Sequence, residues 1–192
     1  MSHLRKPDSC SLTTAPSSRS PRAGTYLRGT LTAGVTNVRD TTGLTYLAAY
    51  LDDWQPGAHT GKQPWAVRLN SRETEDGKHT LTWDAMDTAG NITTVRRAVY
   101  IDNTAPSVRL TKAPKNKAKL TKTVKLTASA SDRYGITRVQ LLVNGKLVAT
   151  DTKAGYHFTL NPKKYGKTFT VQLRAYDKAG NTKYTTKRTY RR

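Results

Sequence analysis

Apolar and polar residues alternate along much of the second half of the chain. Rows of this kind run through residues 124–130, 139–143, 158–160 and 169–175. A period of two, with polar side chains on the opposite face, is typical of strands that bury one face. No stretch keeps the 3.6-residue period and the caps of a helix. The pattern therefore predicts an all-β chain in which helix is nearly absent.

Turn-forming residues separate these rows. Asn144-Gly145 lies between two apolar runs, which is a strong signal for a hairpin. Residues 177–181 predict a second hairpin, in which Gly180 supplies the positive φ that the turn needs, and residues 132–135 predict another turn. About seven short strands in about 85 residues are typical of an immunoglobulin-like β-sandwich.

The same module is written twice in the chain. Residues 85–91 recur as 175–181, 90 positions later, and residues 40–45 recur as 132–137, 92 positions later. The apolar rows of the first copy fit the same plan as those of the second. We predict two tandem immunoglobulin-like sandwiches, with Trp83 in the core of the first. Its apolar rows are Leu47, Ala49 and Leu51, then Leu81, Trp83 and Ala85, and its last strand contains Val95, Val99 and Ile101.

Composition divides the chain into four segments. Residues 1–23 are rich in Ser, Thr, Pro and basic residues, and we predict a disordered leader. The first domain is expected at 24–102, a short linker at 103–106 and the second domain at 107–192. The leader has no apolar run of the kind that a secretory signal requires. The single cysteine lies in the leader, so no disulfide within the chain is expected.

Charge is concentrated in the second domain. Residues 1–105 carry 12 Lys and Arg against 10 Asp and Glu, whereas residues 106–192 carry 21 against 3. The net charges are +2 and +18, which indicates a polyanionic partner. A solvated basic surface that aids solubility is the alternative. The predicted polyanion-binding residues are Lys112, Lys115, Lys117, Lys119, Lys122, Lys125, Lys163, Lys164 and Lys167, and further basic residues end the chain, namely Lys183, Lys187, Arg188, Arg191 and Arg192.

These basic residues have few aromatic side chains among them. We therefore expect no sequence-specific reading of nucleic acid. No apolar run approaches the roughly 20 residues that cross a bilayer, so no membrane span is expected. The most natural partner is an anionic cell-wall polymer or polysaccharide.

Aromatic side chains mark a second candidate surface in the first domain. If Leu47 points inward, then Tyr46 and Tyr50 point outward, about 13 Å apart at a rise of roughly 3.3 Å per residue. Trp54 lies in the adjoining turn. Such rings are suited to stacking on sugars, and ordinary cross-strand packing is the alternative.

The remaining reactive residues do not converge in the sequence. His3, His59, His79 and His157 fall in different segments, and no nucleophile motif or phosphate-binding loop is present. We expect no enzyme activity and no cofactor. Calcium needs roughly six to eight oxygens, so we interpret the loop aspartates as turn caps and predict no metal site; they are Asp40, Asp87, Asp102, Asp132 and Asp177.

Three stretches carry a family resemblance. Residues 127–139 read TASASDRYGITRV, residues 143–145 read VNG, and residues 175–181 read AYDKAGN. Together they resemble bacterial Ig-like domains, and residues 102–106 resemble the linkers between such repeats. The resemblance implies an extracellular or cell-surface location in an exported protein, although no signal peptide is visible in the chain.

Two functions follow from the resemblance and the surface residues together. The first is a monomeric, non-catalytic spacer or adhesion module that associates with anionic cell-wall or extracellular polymers. The alternative is an accessory carbohydrate-binding segment of a secreted hydrolase.

Overall fold

A computed structural model describes residues 11–12, 22–34, 38–39, 44–52, 54–60 and 66–192. Side chains are described for residues 22–30, 44–52 and 68–192. The chain divides into two compact units, residues 1–103 and residues 104–192, here called the first unit and the second unit.

The first unit is built on one five-stranded sheet. Its strand order is β2-β9-β8-β5-β6, in which only the β2–β9 pair is parallel, while β3 pairs β7 and β1 pairs β4. The strands are β1 (Ser11–Leu12), β2 (Tyr26–Leu27), β3 (Thr30–Gly34), β4 (Val38–Arg39), β5 (Leu44–Leu51), β6 (Trp54–Thr60), β7 (Ala66–Asn70), β8 (Gly77–Asp87) and β9 (Ile92–Ile101).

The second unit is a sandwich of a three-stranded and a five-stranded sheet. The first has the order β10-β11-β14, and the second has the order β13-β12-β15-β16, with β17 also paired to β15. The strands are β10 (Ser107–Lys112), β11 (Val124–Ser131), β12 (Ile136–Val143), β13 (Lys146–Asp151), β14 (His157–Leu160), β15 (Thr168–Asp177), β16 (Thr182–Tyr184) and β17 (Arg188–Arg191).

The alternating rows form the two cores, as the sequence predicts. Trp83 is fully buried at the centre of the first core, and the Arg97 guanidinium lies 5.7 Å from its ring centroid. In the second core, Phe169 lies between Tyr165 and Tyr190, at centroid distances of 5.2 and 6.0 Å. Helix within the described residues is confined to two 3-10 turns, Ser71–Glu73 and Pro162–Lys164. The all-β prediction is therefore confirmed.

The duplication extends to the hydrogen bonds of the two copies. Asn70 and Asn161 each accept a bond from the amide two residues later and so begin the two 3-10 turns. Thr45 and Thr137 each donate their hydroxyl to two carbonyls at the end of the neighbouring strand. Short polar side chains that bond to the backbone thus define both copies of the module.

The structure differs from the sequence pattern at two places in the second unit. Gln140 and Leu142 occupy outward positions, yet they are only 7% and 6% exposed. Gln140 bonds to Thr150 and Arg174 on the two neighbouring strands. The last strand is interrupted at residues 185–187, so that its two parts pair with different stretches of β15. That interruption determines where the chain end lies.

The hairpin between β12 and β13 provides a test of the turn assignment. Asn144 and Gly145 both have positive φ, at 51° and 79°. A Cβ at Gly145 would meet open space, so Gly145→Ala is strained by its backbone alone and is expected to cost about 1–2 kcal/mol. Urea unfolding followed by NMR signals of the second unit measures this loss.

Gly166→Ala is the matched control, because that glycine has ordinary φ and its added Cβ would approach the Thr168 carbonyl only at 3.8 Å. Its effect should stay within about 0.5 kcal/mol. Equal losses in the two variants would contradict the turn assignment.

Candidate functional site

The C-terminal strand brings basic segments together that are far apart in sequence. The Lys117 amide donates to the Thr189 carbonyl at 2.7 Å, and the Arg191 amide donates to the Ala118 carbonyl at 3.1 Å. On the other side of the strand end, the Arg192 amide donates to the Lys167 carbonyl at 2.9 Å. Backbone bonds therefore place three basic segments, 115–119, 163–167 and 191–192, around β17.

We call this set the basic surface. Its members are all exposed and come from two connections and the chain end. They are Lys115, Lys117, Lys119, Lys163, Lys164, Lys167, Arg191 and Arg192. The sequence had assigned the first three to the first strands of the second domain, but they lie in the connection between β10 and β11.

The other predicted lysines lie next to this surface in sequence but on different elements. Lys112 ends β10 and Lys125 lies on β11, both in the three-stranded sheet, and Lys122 lies in the bend before β11. All three are exposed. They add to the positive field of the second unit without joining the group at the C-terminal strand.

Carboxylates within residues 106–192 are too few to neutralise this charge. Three aspartates face 21 basic residues, which leaves this segment with a net charge of +18. The aspartates also bond to their own loops: Asp132 accepts the amides of Tyr134 and Gly135 at 2.8 and 3.2 Å, and Asp177 accepts the Asn181 amide at 2.8 Å. The positive field is thus a property of the whole unit.

A row of cation–π contacts crosses the outer face of the five-stranded sheet. The Arg138 guanidinium lies 3.8 Å from the Tyr176 ring centroid, and Arg174 lies 5.0 Å from the same ring. Arg174 also donates to the Tyr184 hydroxyl at 3.0 Å and to Gln140 Oε1 at 2.7 Å. The sequence analysis did not identify this row, although Arg174, Tyr176 and Tyr184 have positions on β15 and β16 whose parity points outward.

The tyrosine pair in the first unit is less open than the sequence suggests. Tyr46 and Tyr50 are both half-buried on β5. The pKa of the Tyr50 hydroxyl is raised, and burial is the largest cause. Electrostatic interactions with Tyr46 and Asp84 and a side-chain hydrogen bond with Tyr46 add to it. The two side chains therefore contact each other. Trp54 pairs with Leu51 through its backbone, and its side chain lies outside the described residues.

His79 and Asp52 are joined by a short side-chain hydrogen bond in the first unit. His79 Nδ1 lies 2.6 Å from Asp52 Oδ2, and His79 Nε2 lies 2.9 Å from the Glu75 carbonyl. Burial by itself would raise the pKa of Asp52, but the Thr80 amide and His79 outweigh it and hold that pKa below its ordinary value. The histidine is thus a partly buried, hydrogen-bonded ring.

Three of the loop aspartates, Asp87, Asp132 and Asp177, have side-chain bonds that cap their own turns. Asp87 accepts the amides of Ala89 and Asn91 at 2.9 and 2.8 Å, and the Asn91 side chain bonds to its second oxygen. In the second unit, one carboxylate oxygen each of Asp132 and Asp177 lie within 4.8 Å of each other. These bonds explain the aspartates as parts of their turns. Asp40 lies outside the described residues.

Within the described part of the chain, no helix is long and apolar enough to cross a bilayer.

Comparisons with known proteins agree with the fold. Residues 106–186 match a family model described as a bacterial Ig domain, and residues 53–103 match one described as a bacterial Ig-like domain. The structure is similar to the fibronectin(III)-like modules of CbhA from Clostridium thermocellum, with a TM-score of 0.62, 25% identity and 89% of each chain covered.

It is also similar to the FN1–FN3 domains of chicken CNTN1, with a TM-score of 0.51 and 12% identity, over 93% of this chain and 69% of that one. A search of curated proteins gave no match. The predicted fold class and family resemblance are confirmed.

The loop after β13 gives a pH-dependent prediction. Backbone hydrogen bonds from Lys153 and His157, at 2.9 and 2.8 Å, lower the pKa of Asp151, while burial opposes them to a smaller extent. Because the folded-state pKa is depressed, this stabilisation is present above the ordinary value of 3.8 and is lost as the pH falls through the folded value.

Asp151→Asn is expected to lower the free energy of unfolding by about 1 kcal/mol near neutral pH, because one of the two amides loses its charged acceptor. Solvent screens the remaining electrostatic contribution of the carboxylate. Hydrogen exchange of the Lys153 and His157 amides and the free energy of unfolding measure this cost. The difference between wild type and variant should shrink below the ordinary aspartate pKa. A constant difference from neutral pH to pH 3 would contradict the assignment.

Proposed function

We propose that this chain, which carries two bacterial Ig-like domains in tandem, is a non-catalytic module of an exported bacterial protein. We further propose that its second unit holds the module against anionic cell-wall or extracellular polymers. Ig-like domains of this kind and fibronectin(III)-like domains are common in extracellular and surface proteins. The observation that carries the proposal is the grouping of three exposed basic segments around β17.

Electrostatics supports a polymeric rather than a small partner. Exposed charges act over a Debye length of about 8–10 Å at physiological salt. Charges spread over a whole unit therefore act most strongly on a ligand that also extends over many charges. Binding to a polyanion also releases its condensed counterions, and each phosphate-like contact adds to the salt dependence of affinity.

The side chains favour binding without sequence reading. Six of the eight members of the basic surface are lysines, which are compact, hydrated charges on flexible stems. No aromatic residue belongs to that surface, so stacking on bases has no platform there. An anionic cell-wall polymer or acidic polysaccharide, recognised mainly through its charge density, fits these properties.

Charge reversal tests this proposal. In the variant Lys163→Glu/Lys164→Glu/Lys167→Glu, retention on immobilised polygalacturonate at low salt should fall about tenfold or more, and the slope of log affinity against log salt should decrease by about 0.7–0.9 per lost contact. The affinity of wild type should fall steeply between about 50 and 200 mM salt, because binding releases the condensed counterions of the polymer.

Arg68→Glu/Lys78→Glu/Arg96→Glu is the matched control, because it makes the same change in net charge with exposed residues of the first unit. Equal losses in both triple variants would show that net charge alone matters and would overturn the assignment to the basic surface. Full retention in the Lys163, Lys164 and Lys167 variant would overturn the proposal itself.

The accessory carbohydrate-binding role is the competing function. It would place the ligand on Tyr46 and Tyr50 of the first unit, where two half-buried rings share the outer face of β5. Salt-resistant binding to a neutral glycan that is lost in Tyr46→Ala would favour this role. Absence of both kinds of binding would leave the chain as a spacer.

A further inference from the structure

An open cavity of about 320 Å³ lies in the second unit between strands of its two separate sheets. One wall is the edge strand β10, and the other is the segment from the end of β16 to the start of β17. The volume lies at the lower end of the about 300–1,000 Å³ that is usual for ligand pockets. The lining residues are Val108, Arg109, Leu110, Tyr184, Thr185, Thr186 and Arg188.

The lining combines three kinds of chemistry. Val108 and Leu110 are half-buried and pack against the core, which gives the cavity an apolar side. Tyr184 is 43% exposed, and Thr185 and Thr186 add hydroxyl-bearing residues to the lining. Arg109 and Arg188 add two guanidinium groups, each of which offers a planar fork of donors for a carboxylate.

Several of these groups are held in place. The Thr185 amide donates to the Leu173 carbonyl at 3.0 Å, and the Thr185 carbonyl accepts from Gln172 at 2.7 Å, which fixes the interruption between β16 and β17. Arg188 donates one Nη1 bond to the Pro114 carbonyl at 2.9 Å. The Tyr184 hydroxyl accepts from Arg174 at 3.0 Å. Groups that are ordered before binding lose less entropy when a ligand arrives.

Arg109 is the lining residue whose charge is most available. It is exposed on β10, and within the described part of the chain it has no hydrogen-bonded or ion-paired side-chain partner. A guanidinium that no carboxylate satisfies, beside an aromatic ring and hydroxyls, is suited to a ligand that carries both an acidic group and a hydroxylated, partly apolar ring.

We propose that this cavity binds a single acidic sugar residue, a pyranose ring that carries a carboxylate. The ring stacks on Tyr184, its hydroxyls bond to Thr185 and Thr186, and the carboxylate pairs with Arg109 and Arg188. The inference rests on the proposed function only in taking an anionic polysaccharide as the polymer that brings such a residue to the cavity. The cavity shares no residue with the basic surface.

The test uses the full ¹⁵N-labelled chain and three probes that each contain three repeating units. Trigalacturonate carries both ring and charge, cellotriose carries the ring without the charge, and inorganic tripolyphosphate carries the charge without the ring. At 150 mM salt, trigalacturonate should shift the amide signals of residues 108–110 and 184–188. The shifts with cellotriose and with tripolyphosphate should be at least about fivefold smaller, because cellotriose lacks the carboxylate for the arginines and tripolyphosphate lacks the ring that stacks on Tyr184.

Three variants locate the binding. Arg109→Gln and Tyr184→Ala should each weaken trigalacturonate binding about tenfold, which corresponds to the loss of one strong contact. Lys183→Gln is the control, because it removes one positive charge next to Tyr184 from a position that does not line the cavity. Arg109 is exposed, so its variant keeps the fold even if Tyr184→Ala disturbs the contact with Arg174.

The outcomes separate this inference from the proposed function. Tripolyphosphate binding as tightly as trigalacturonate, equal losses in Lys183→Gln and Arg109→Gln, or no shift at the cavity residues would each overturn the acidic-sugar site. Polymer retention through Lys163, Lys164 and Lys167 would then still stand. Conversely, cavity shifts with trigalacturonate in a wild-type chain that shows no polymer retention would support the site and overturn the proposed function.

Discussion

Burial of the Tyr190 side chain is the interaction on which the arrangement of the second unit depends. The ring is fully buried against Phe169, and its hydroxyl donates to the Pro114 carbonyl at 3.1 Å. Aromatic burial with a satisfied hydroxyl is among the larger single contributions that one side chain makes to a small core. It fixes the last strand against β15, and the connection 113–123 then bonds to that strand. The basic segments lie together because this strand is held.

This arrangement opposes strong self-repulsion. A net charge of +18 within residues 106–192 disfavours the compact state, and the carboxylates of that segment are too few to offset it. The unit is therefore stabilised by its apolar core, by its paired strands and by short turns whose aspartates bond to their own backbone. Such a unit can carry a high charge on its connections, since the hydrophobic core does not depend on the sign of the surface.

Local features of the structure were predictable, and long-range ones were not. Parity placed Trp83, Leu141 and Leu173 in the cores, because a period of two is a property of neighbouring residues. The Asn144-Gly145 turn is equally local. The grouping of Lys117 with Arg191 depends on the pairing of β17 with the first half of β15. That pairing follows the interruption of the last strand, which no sequence motif predicts. The burial of Gln140 likewise depends on Arg174, a residue of another strand.

The basic surface and the cavity differ in what they can discriminate. Exposed lysines contribute attraction that salt screens and that any dense polyanion satisfies. The Arg188 side chain is held by the Pro114 carbonyl, and Thr185 is held by Gln172 and Leu173, so we expect the proposed cavity site to distinguish shape as well as charge. A unit with both proposed sites would gain encounter rate from the first and specificity from the second. Since β17 and the segment before it contribute to both, the interruption in the last strand supplies the geometry on which both proposals depend.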